Sequence, residues 1–121
     1  MNRRLLRVLK AAWESGDADA IAGLYSTRAH FLDGVGRGET SVRGPNAIRS
    51  VVREMFESPG ARFRVTSLSS TKDGGVAEWT YSWKADRPGR SNEIRGASVI
   101  VVRKGRVIRE YSYYNPEPEI A

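Results

Sequence analysis

The sequence contains no cysteine, which removes a disulfide framework, a thiolate metal site and a cysteine nucleophile. It holds one histidine, His30, so no zinc or other metal site is expected. A Ser-His-Asp triad would have to recruit that single imidazole. No apolar run approaches the ~20 residues that cross a bilayer, and no membrane partner is expected. The start, Met1-Asn2-Arg3-Arg4-Leu5-Leu6-Arg7, returns to charge too soon for a signal peptide, which points to a cytoplasmic protein. Internal repeats and low-complexity stretches are absent. The glycine-rich string Gly34-Val35-Gly36-Arg37-Gly38 lacks the G-x-G-x-x-G spacing and opens no helix, so no dinucleotide or other cofactor is expected.

What is there fits one soluble domain over residues 1–121, with enough chain for a core without staples. Hydrophobic residues make up 40% and charged ones 28%, an ordinary globular balance rather than a disordered one. Basic residues outnumber acidic ones 20 to 14, for a net charge of +6. The charges are dispersed, and the densest basic group, Arg103-Lys104 with Arg106, reads as a hairpin tip. A solvated basic surface is therefore expected rather than a nucleic-acid interface. Attraction of an acidic small molecule or anionic partner stays open.

The first part of the chain reads as helical. Leu5, Val8, Leu9, Ala12 and Trp13 recur at three- and four-residue spacing. Gly16 stops that helix and Asp17 caps the next, whose short face is Ile21, Leu24 and Tyr25. Ala29 to Asp33 reads as a short strand leading into the glycines, which cross toward a third helix. That helix opens at Gly44-Pro45 and carries Ile48, Val51, Val52, Met55 and Phe56 on one face, ending at Ser58-Pro59-Gly60. Strands follow: Phe63 and Val65 alternate with arginines until Leu68 slips out of phase, as at a bulge. Lys72-Asp73-Gly74-Gly75 reads as a hairpin turn. Val76 to Lys84 alternates Ala77, Trp79, Tyr81 and Trp83 against Glu78, Thr80 and Ser82. After a polar loop over Asp86 to Ser91, a strand over Glu93 to Val102 turns at Lys104-Gly105 and returns as Arg106 to Tyr114. Asn115-Pro116 closes it, and the tail Glu117-Pro118-Glu119 is expected to be exposed. Three helices before a long antiparallel meander predict an α+β fold, with helices packed on one face of a curved sheet.

Among candidate site residues, alternation places His30 opposite Phe31 and Asp33, so a surface or hydrogen-bonded structural role is favoured for it over catalysis. Asp33 ends an apolar stretch before the glycines. There it either caps the turn through backbone amides or leans into a cavity, where desolvation raises its pKa and makes it a proton acceptor next to a carbonyl. Trp79, Tyr81 and Trp83 either line a pocket for a flat apolar ligand or belong to the core or a dimer face. Tyr111 and Tyr113 share one face of the last strand, and Tyr114 takes the other.

Several strings resemble the SnoaL-like and ketosteroid-isomerase-like proteins of the nuclear-transport-factor-two-like superfamily. They are Glu14-Ser15-Gly16-Asp17-Ala18-Asp19-Ala20-Ile21-Ala22-Gly23-Leu24-Tyr25, Phe31-Leu32-Asp33-Gly34-Val35-Gly36 and Arg43-Gly44-Pro45-Asn46-Ala47-Ile48-Arg49. The end, Gly105-Arg106-Val107-Ile108 through Tyr113-Tyr114-Asn115-Pro116, fits too. The resemblance implies a cone-shaped curved antiparallel sheet wrapped around three N-terminal helices, an α+β half-barrel. It also implies a pocket for an apolar small molecule and a homodimer through the sheet. Matched locally, Asp33 falls on the general-base position and Tyr25 on a tyrosine that supports the oxyanion network in some isomerases. Leu9 stands where the main oxyanion tyrosine would be, and Ala97 or Ser98 where a protonated acid would be, so steroid isomerisation itself is not expected. The Asp–Arg–Asp set of the epoxide-hydrolase branch is not reproduced around Arg95, where Ala97 replaces the acid and the last strand offers Ser112 and Asn115. No late-strand histidine serves an aldol-cyclase reading.

The superfamily hosts several chemistries on one scaffold. The expected function is thus small-molecule binding, with cofactor-independent acid–base chemistry on an apolar ring-containing substrate. Asp33 and Tyr25 are the catalytic candidates, and Trp13, Met55, Phe56, Trp79, Tyr113 and Asn115 the ligand-binding ones. The alternatives are a non-catalytic ligand-binding or protein-interaction module on the same scaffold, and a structural dimer using the aromatic sheet face.

Overall fold

A computed structural model describes residues 2–36, 38–84 and 92–115. The order of elements is α1 (Arg3–Ser15), α2 (Ala18–Ala22), β1 (Tyr25–Asp33), β2 (Thr40–Arg43), α3 (Pro45–Glu57), β3 (Arg62–Thr71), β4 (Gly74–Ser82), β5 (Glu93–Arg103) and β6 (Arg106–Tyr114). The expected polar loop over 86–91 and the tail over 117–119 lie outside the described residues. The strands form one curved, unclosed sheet in the order β2-β1-β6-β5-β4-β3. It is mixed rather than wholly antiparallel, because β1 runs parallel to β6 while the other pairs are antiparallel.

Local chemistry explains the helix limits. Gly16 takes a left-handed φ of 72° and closes α1 by returning its N–H to the Trp13 carbonyl, a conformation that costs glycine nothing. The Asp17 side chain then accepts from the N–H groups of Asp19 and Ala20, so α2 begins where its orphan donors are met. Pro45 opens α3. The buried face of α1 is Leu6, Leu9 and Trp13, not the face that includes Val8, which is 46% exposed. Leu5 and Leu6 offered two registers about 100° apart, and packing of α1 on β3 selects the second.

Tyr25 departs more from expectation. It is the first residue of β1, not part of the α2 face. The chain turns at Gly23 and Leu24, and the Val107 N–H donates to the Leu24 carbonyl, so β6 captures this segment as extended chain. The short β2 was also unforeseen; it pairs Thr40 to Arg43 against the end of β1. The bulge expected before Leu68 is present, with the register of β3 on β4 shifting between Val65 and Ser67. At the last turn Lys104 and Gly105 both take positive φ, 54° and 75°, the paired left-handed geometry that suits a two-residue hairpin.

Register fixes what the inner face presents. Phe31 of β1 stands beside Glu110 of β6 and Ile100 of β5; one pleat further on, Asp33 stands beside Ser112, Ser98 and Ala77. Tyr114, Gly96, Trp79 and Val65 form the next row. Two adjacent rows thus carry a carboxyl group each, Glu110 in the first and Asp33 in the second, and the row of Tyr114, Gly96, Trp79 and Val65 beyond them carries none. Gly96 is part of that design: a Cβ there would meet Trp79 Cζ2 at 2.5 Å, so the missing side chain makes room for the indole.

Candidate functional site

The inner face carries a polar cluster that the surrounding core keeps from water. Tyr25 is 2% exposed, Ser98 and Ser112 3% each, and Glu110 4%. The Tyr25 hydroxyl donates to Glu110 Oε1 at 2.5 Å and accepts from Trp13 Nε1–H at 3.2 Å. Trp79 Nε1–H donates to Ser98 Oγ at 2.9 Å, which is 2.8 Å from Ser112 Oγ. Buried hydroxyls and indoles need such partners. Burial pushes the Glu110 carboxyl up to about 7, against hydrogen bonds from Tyr25 and Ser98 that favour its ionised form; the nearby Asp33 charge adds to the rise.

Asp33 sits at the end of β1. The N–H groups of Gly34 and Val35 both donate to the Ser112 carbonyl at 3.0 Å, which ties the strand exit to β6 and holds the carboxylate on the inner face. Asp33 is half-buried, and desolvation raises its pKa above 3.8. No hydrogen bond or ion pair reaches this carboxylate among the described residues, so the turn-capping alternative has no support in its geometry. It opens onto a cleft of about 180 Å³ lined otherwise by Met55, Trp79, Tyr81, Ile94 and Tyr114. Tyr114 has its own pKa raised by burial and by the Asp33 charge, which places its ring beside that carboxylate. The Tyr81 hydroxyl is engaged with the Met55 carbonyl.

Trp79 also lines a smaller pocket of about 20 Å³. Trp13, Phe63, Trp79, Ser98 and Glu110 help to line it, and its size matches a single water molecule. Trp79 lines both spaces, and each holds one carboxyl group whose pKa is raised, Asp33 in the cleft and Glu110 in the smaller pocket. Pairs whose environments push both groups toward neutrality suit proton transfer near neutral pH. Among the described residues no three histidine, aspartate or glutamate side chains converge to hold a metal.

The expected site residues separate into two groups. Asp33, Met55 and Trp79 meet at the cleft. Trp13 lines the smaller pocket and packs against Phe63 in a tilted arrangement, 4.9 Å between ring centroids. Tyr25 bonds Glu110 and Trp13 and is not among the residues that line the cleft. Phe56 packs its ring over Gly16 and does not line the cleft. Tyr113 is 45% exposed because alternation along β6 sends it outward, and Tyr114 takes the inward place. Asn115 lies beyond the end of β6 and is exposed. Glu110 escaped the sequence reading: it sits between Arg109 and Tyr111, with nothing nearby to mark it as buried. The one available signal was its position three residues after the apolar Val107, across a strand irregularity that changes the phase.

An α+β cone with a pocket between its helices and its concave sheet face is a ligand-binding architecture. The chain belongs to the SnoaL-like domain family, whose model matches residues 5–110. Solved structures share the fold. A protein with a ketosteroid-isomerase-like fold from Catenulispora acidiphila, in complex with trimethylamine, superposes with a TM-score of 0.80 at 14% identity, over 98% of this chain and 90% of that one. An NTF2-like protein of unknown function from Mesorhizobium loti gives 0.78 at 21% identity, over 94% and 90%. An LEH-like epoxide hydrolase from M. tuberculosis gives 0.72 at 16% identity, over 93% and 80%. Among curated proteins none matches the sequence. No helix of the described residues is long and apolar enough to cross a membrane.

Proposed function

We propose that residues 1–121 act as one SnoaL-like domain that binds a small, largely apolar ring compound in the cleft and moves a proton on it without a cofactor. The observation that carries this reading is the Asp33 carboxylate, desolvated, without a counter-ion among the described residues, and open to a cleft of aromatic and aliphatic walls. A carboxylate so placed is a stronger base than one in water, because desolvation raises its pKa. The cleft volume, about 180 Å³, is below the ~300 Å³ at which drug-sized sites begin, which favours one or two rings. The trimethylamine held by one neighbour is a small molecule of that order.

In the step this geometry supports, Asp33 takes a proton from a carbon next to a carbonyl. The C–H electron pair passes to the carbonyl oxygen as an enolate, and the same carboxyl returns the proton to that carbon, or to the γ carbon where the substrate carries a β,γ-double bond that makes the enolate a dienolate. Tyr114 is the hydroxyl placed to donate to that oxygen. Glu110, neutral at the start, keeps a second negative charge away from the enolate.

The test is hydrogen exchange from heavy water into enolisable one- and two-ring ketones, together with the Asp33 pKa by carboxylate NMR. Exchange that falls a hundredfold or more in Asp33→Asn, with Asp33 titrating above its usual range, is the expected result. An Asp33 that titrates at or below about 3.9 removes the base.

A binding-only module is the second reading, and one observation favours it. The hydroxyls of Tyr25, Tyr81, Ser98 and Ser112 are all engaged within the protein, leaving Tyr114 alone to stabilise an oxyanion among the inner-face residues described. Ring compounds that bind in the cleft without exchange would establish it. The outer sheet face, with Val99 and Tyr113 each 45% exposed, is the surface we assign to a homodimer, and the setting we infer is the cytoplasm.

A further inference from the structure

The outer face of the sheet carries a second cluster that the cleft does not use. Arg43 on β2, His30 on β1 and Arg109 on β6 stand side by side in one row across hydrogen-bonded strands, with Val101 of β5 next to them. Strands lie ~4.8 Å apart, so two long cationic side chains flank the imidazole over roughly 10 Å and can meet above it. Arg103, Ile108 and Tyr111 complete a groove of about 350 Å³.

Like charges on adjacent strands repel, and such pairs are destabilising unless something offsets them. Three arginines find carboxylates, Arg49 and Arg53 on Asp19 and Arg95 on Glu93. Among the described residues no carboxylate lies within ion-pair distance of Arg43, Arg103 or Arg109. The groove is also held in place from below. His30 Nε2 is 2.8 Å from Ser41 Oγ, its Nδ1 is 3.2 Å from the Tyr111 hydroxyl, and the Arg109 guanidinium lies 5.4 Å from the Tyr111 ring centroid. Both imidazole nitrogens are therefore engaged, and the arginines are the groups left to meet a ligand. Burial and the charges of Arg43 and Arg109 lower the His30 pKa, which shows that both guanidinium charges are felt at the ring.

We propose that this outer groove is a binding site for a phosphate-type dianion, held by Arg43, Arg109 and Arg103 above His30. A lone carboxylate is satisfied by one guanidinium in two-point contact. Three guanidinium groups around one point match the several oxygens and double charge of a phosphate. The phosphate comes either free or as the monoester of a small molecule.

His30 reports on the site. It is the sole histidine of the sequence, so its ring C–H proton resonances need no assignment. The experiment is an NMR pH titration of the full chain at fixed ionic strength with chloride, acetate, inorganic phosphate or phenyl phosphate. An anion bound above the ring stabilises the imidazolium. Both phosphates are therefore expected to raise the His30 pKa by roughly half a unit or more, while acetate and chloride leave it in place. Phenyl phosphate saturating tenfold lower than phosphate identifies a monoester as the source; equal saturation identifies free phosphate. Arg43→Gln and Arg109→Gln should each weaken the phosphate response tenfold or more with unchanged thermal melting. A shift of the same size with acetate or chloride, or a phosphate response that survives both variants, overturns the proposal.

Discussion

Glu110 carries an electrostatic cost whose sign can be followed. Its ordinary pKa is 4.5 and in the folded protein it is pushed to about 7. The unfolded chain gives up this proton first, so the native state is most favoured below pH 4.5, loses stability as pH rises toward 7, and changes no further above that. The whole difference is on the order of 3 kcal/mol. Glu110→Gln mimics the protonated acid: its carboxamide oxygen accepts from Tyr25 and its NH₂ faces Ser98. Denaturant melts should show the variant close to wild type at about pH 4 and more stable by roughly 3 kcal/mol at about pH 8. Two parallel stability curves would mean that Glu110 is not buried neutral. Tyr25→Phe removes the hydroxyl that serves both Glu110 and Trp13. It should cost about 1–3 kcal/mol, measured in the same melts. If Tyr25 acts through Glu110, its loss should also move the pH at which wild-type stability falls; a merely structural tyrosine would leave that midpoint alone.

At the scale of the element, the packing around Gly96 leaves no room for a side chain. Gly96→Ala puts a methyl group 2.5 Å from Trp79 and 2.7 Å from the Tyr113 carbonyl. Overpacking of this kind costs about 1–3 kcal/mol. Because Trp79 lines the cleft, the same change should alter ligand binding in the cleft as well as the melt. A Gly96→Ala protein as stable as wild type, with an unchanged indole fluorescence spectrum, would contradict that packing. Helix punctuation was legible because it is local: Gly16, Asp17 and Pro45 act within a turn of themselves. The burial register of α1 was not, since Leu5, Leu6, Val8 and Leu9 satisfy two faces and only the sheet decides between them. Tyr25 was misplaced for the same reason. Its spacing from Ile21 suits a helix, and the partner that draws it into a strand is 82 residues away at Val107. Asp33 was found because an acid between an apolar run and glycines is a local anomaly. Glu110 looks like any charged residue between Arg109 and Tyr111, and what buries it is the assembly of β1, β5 and β6.

At the scale of the whole molecule, the parallel pairing of β1 with β6 matters most. It joins the first strand to the last, so Asp33 and Glu110, distant in sequence, become diagonal neighbours under one set of helices. The same pairing sets the outer face, since every residue that β6 turns inward has a neighbour turned out: Glu110 and Ser112 face the core, Tyr111 and Tyr113 face away. Val99, Tyr111 and Tyr113 therefore gather on the outer surface, with Val99 and Tyr113 each 45% exposed. In the homodimer proposed above, this exposed patch is the surface on which a second copy would sit, with the same residues on both sides of a two-fold axis. Sedimentation equilibrium should find a dimer of the 13.5 kDa chain at micromolar concentration. Val99→Asp should convert it to monomer without unfolding, because an exposed carboxylate is tolerated in water but not at the centre of an apolar interface. A wild-type monomer at the highest soluble concentration would remove the dimer while leaving the cleft reading to its own test, because Asp33, Trp79 and Tyr114 already meet within a single chain.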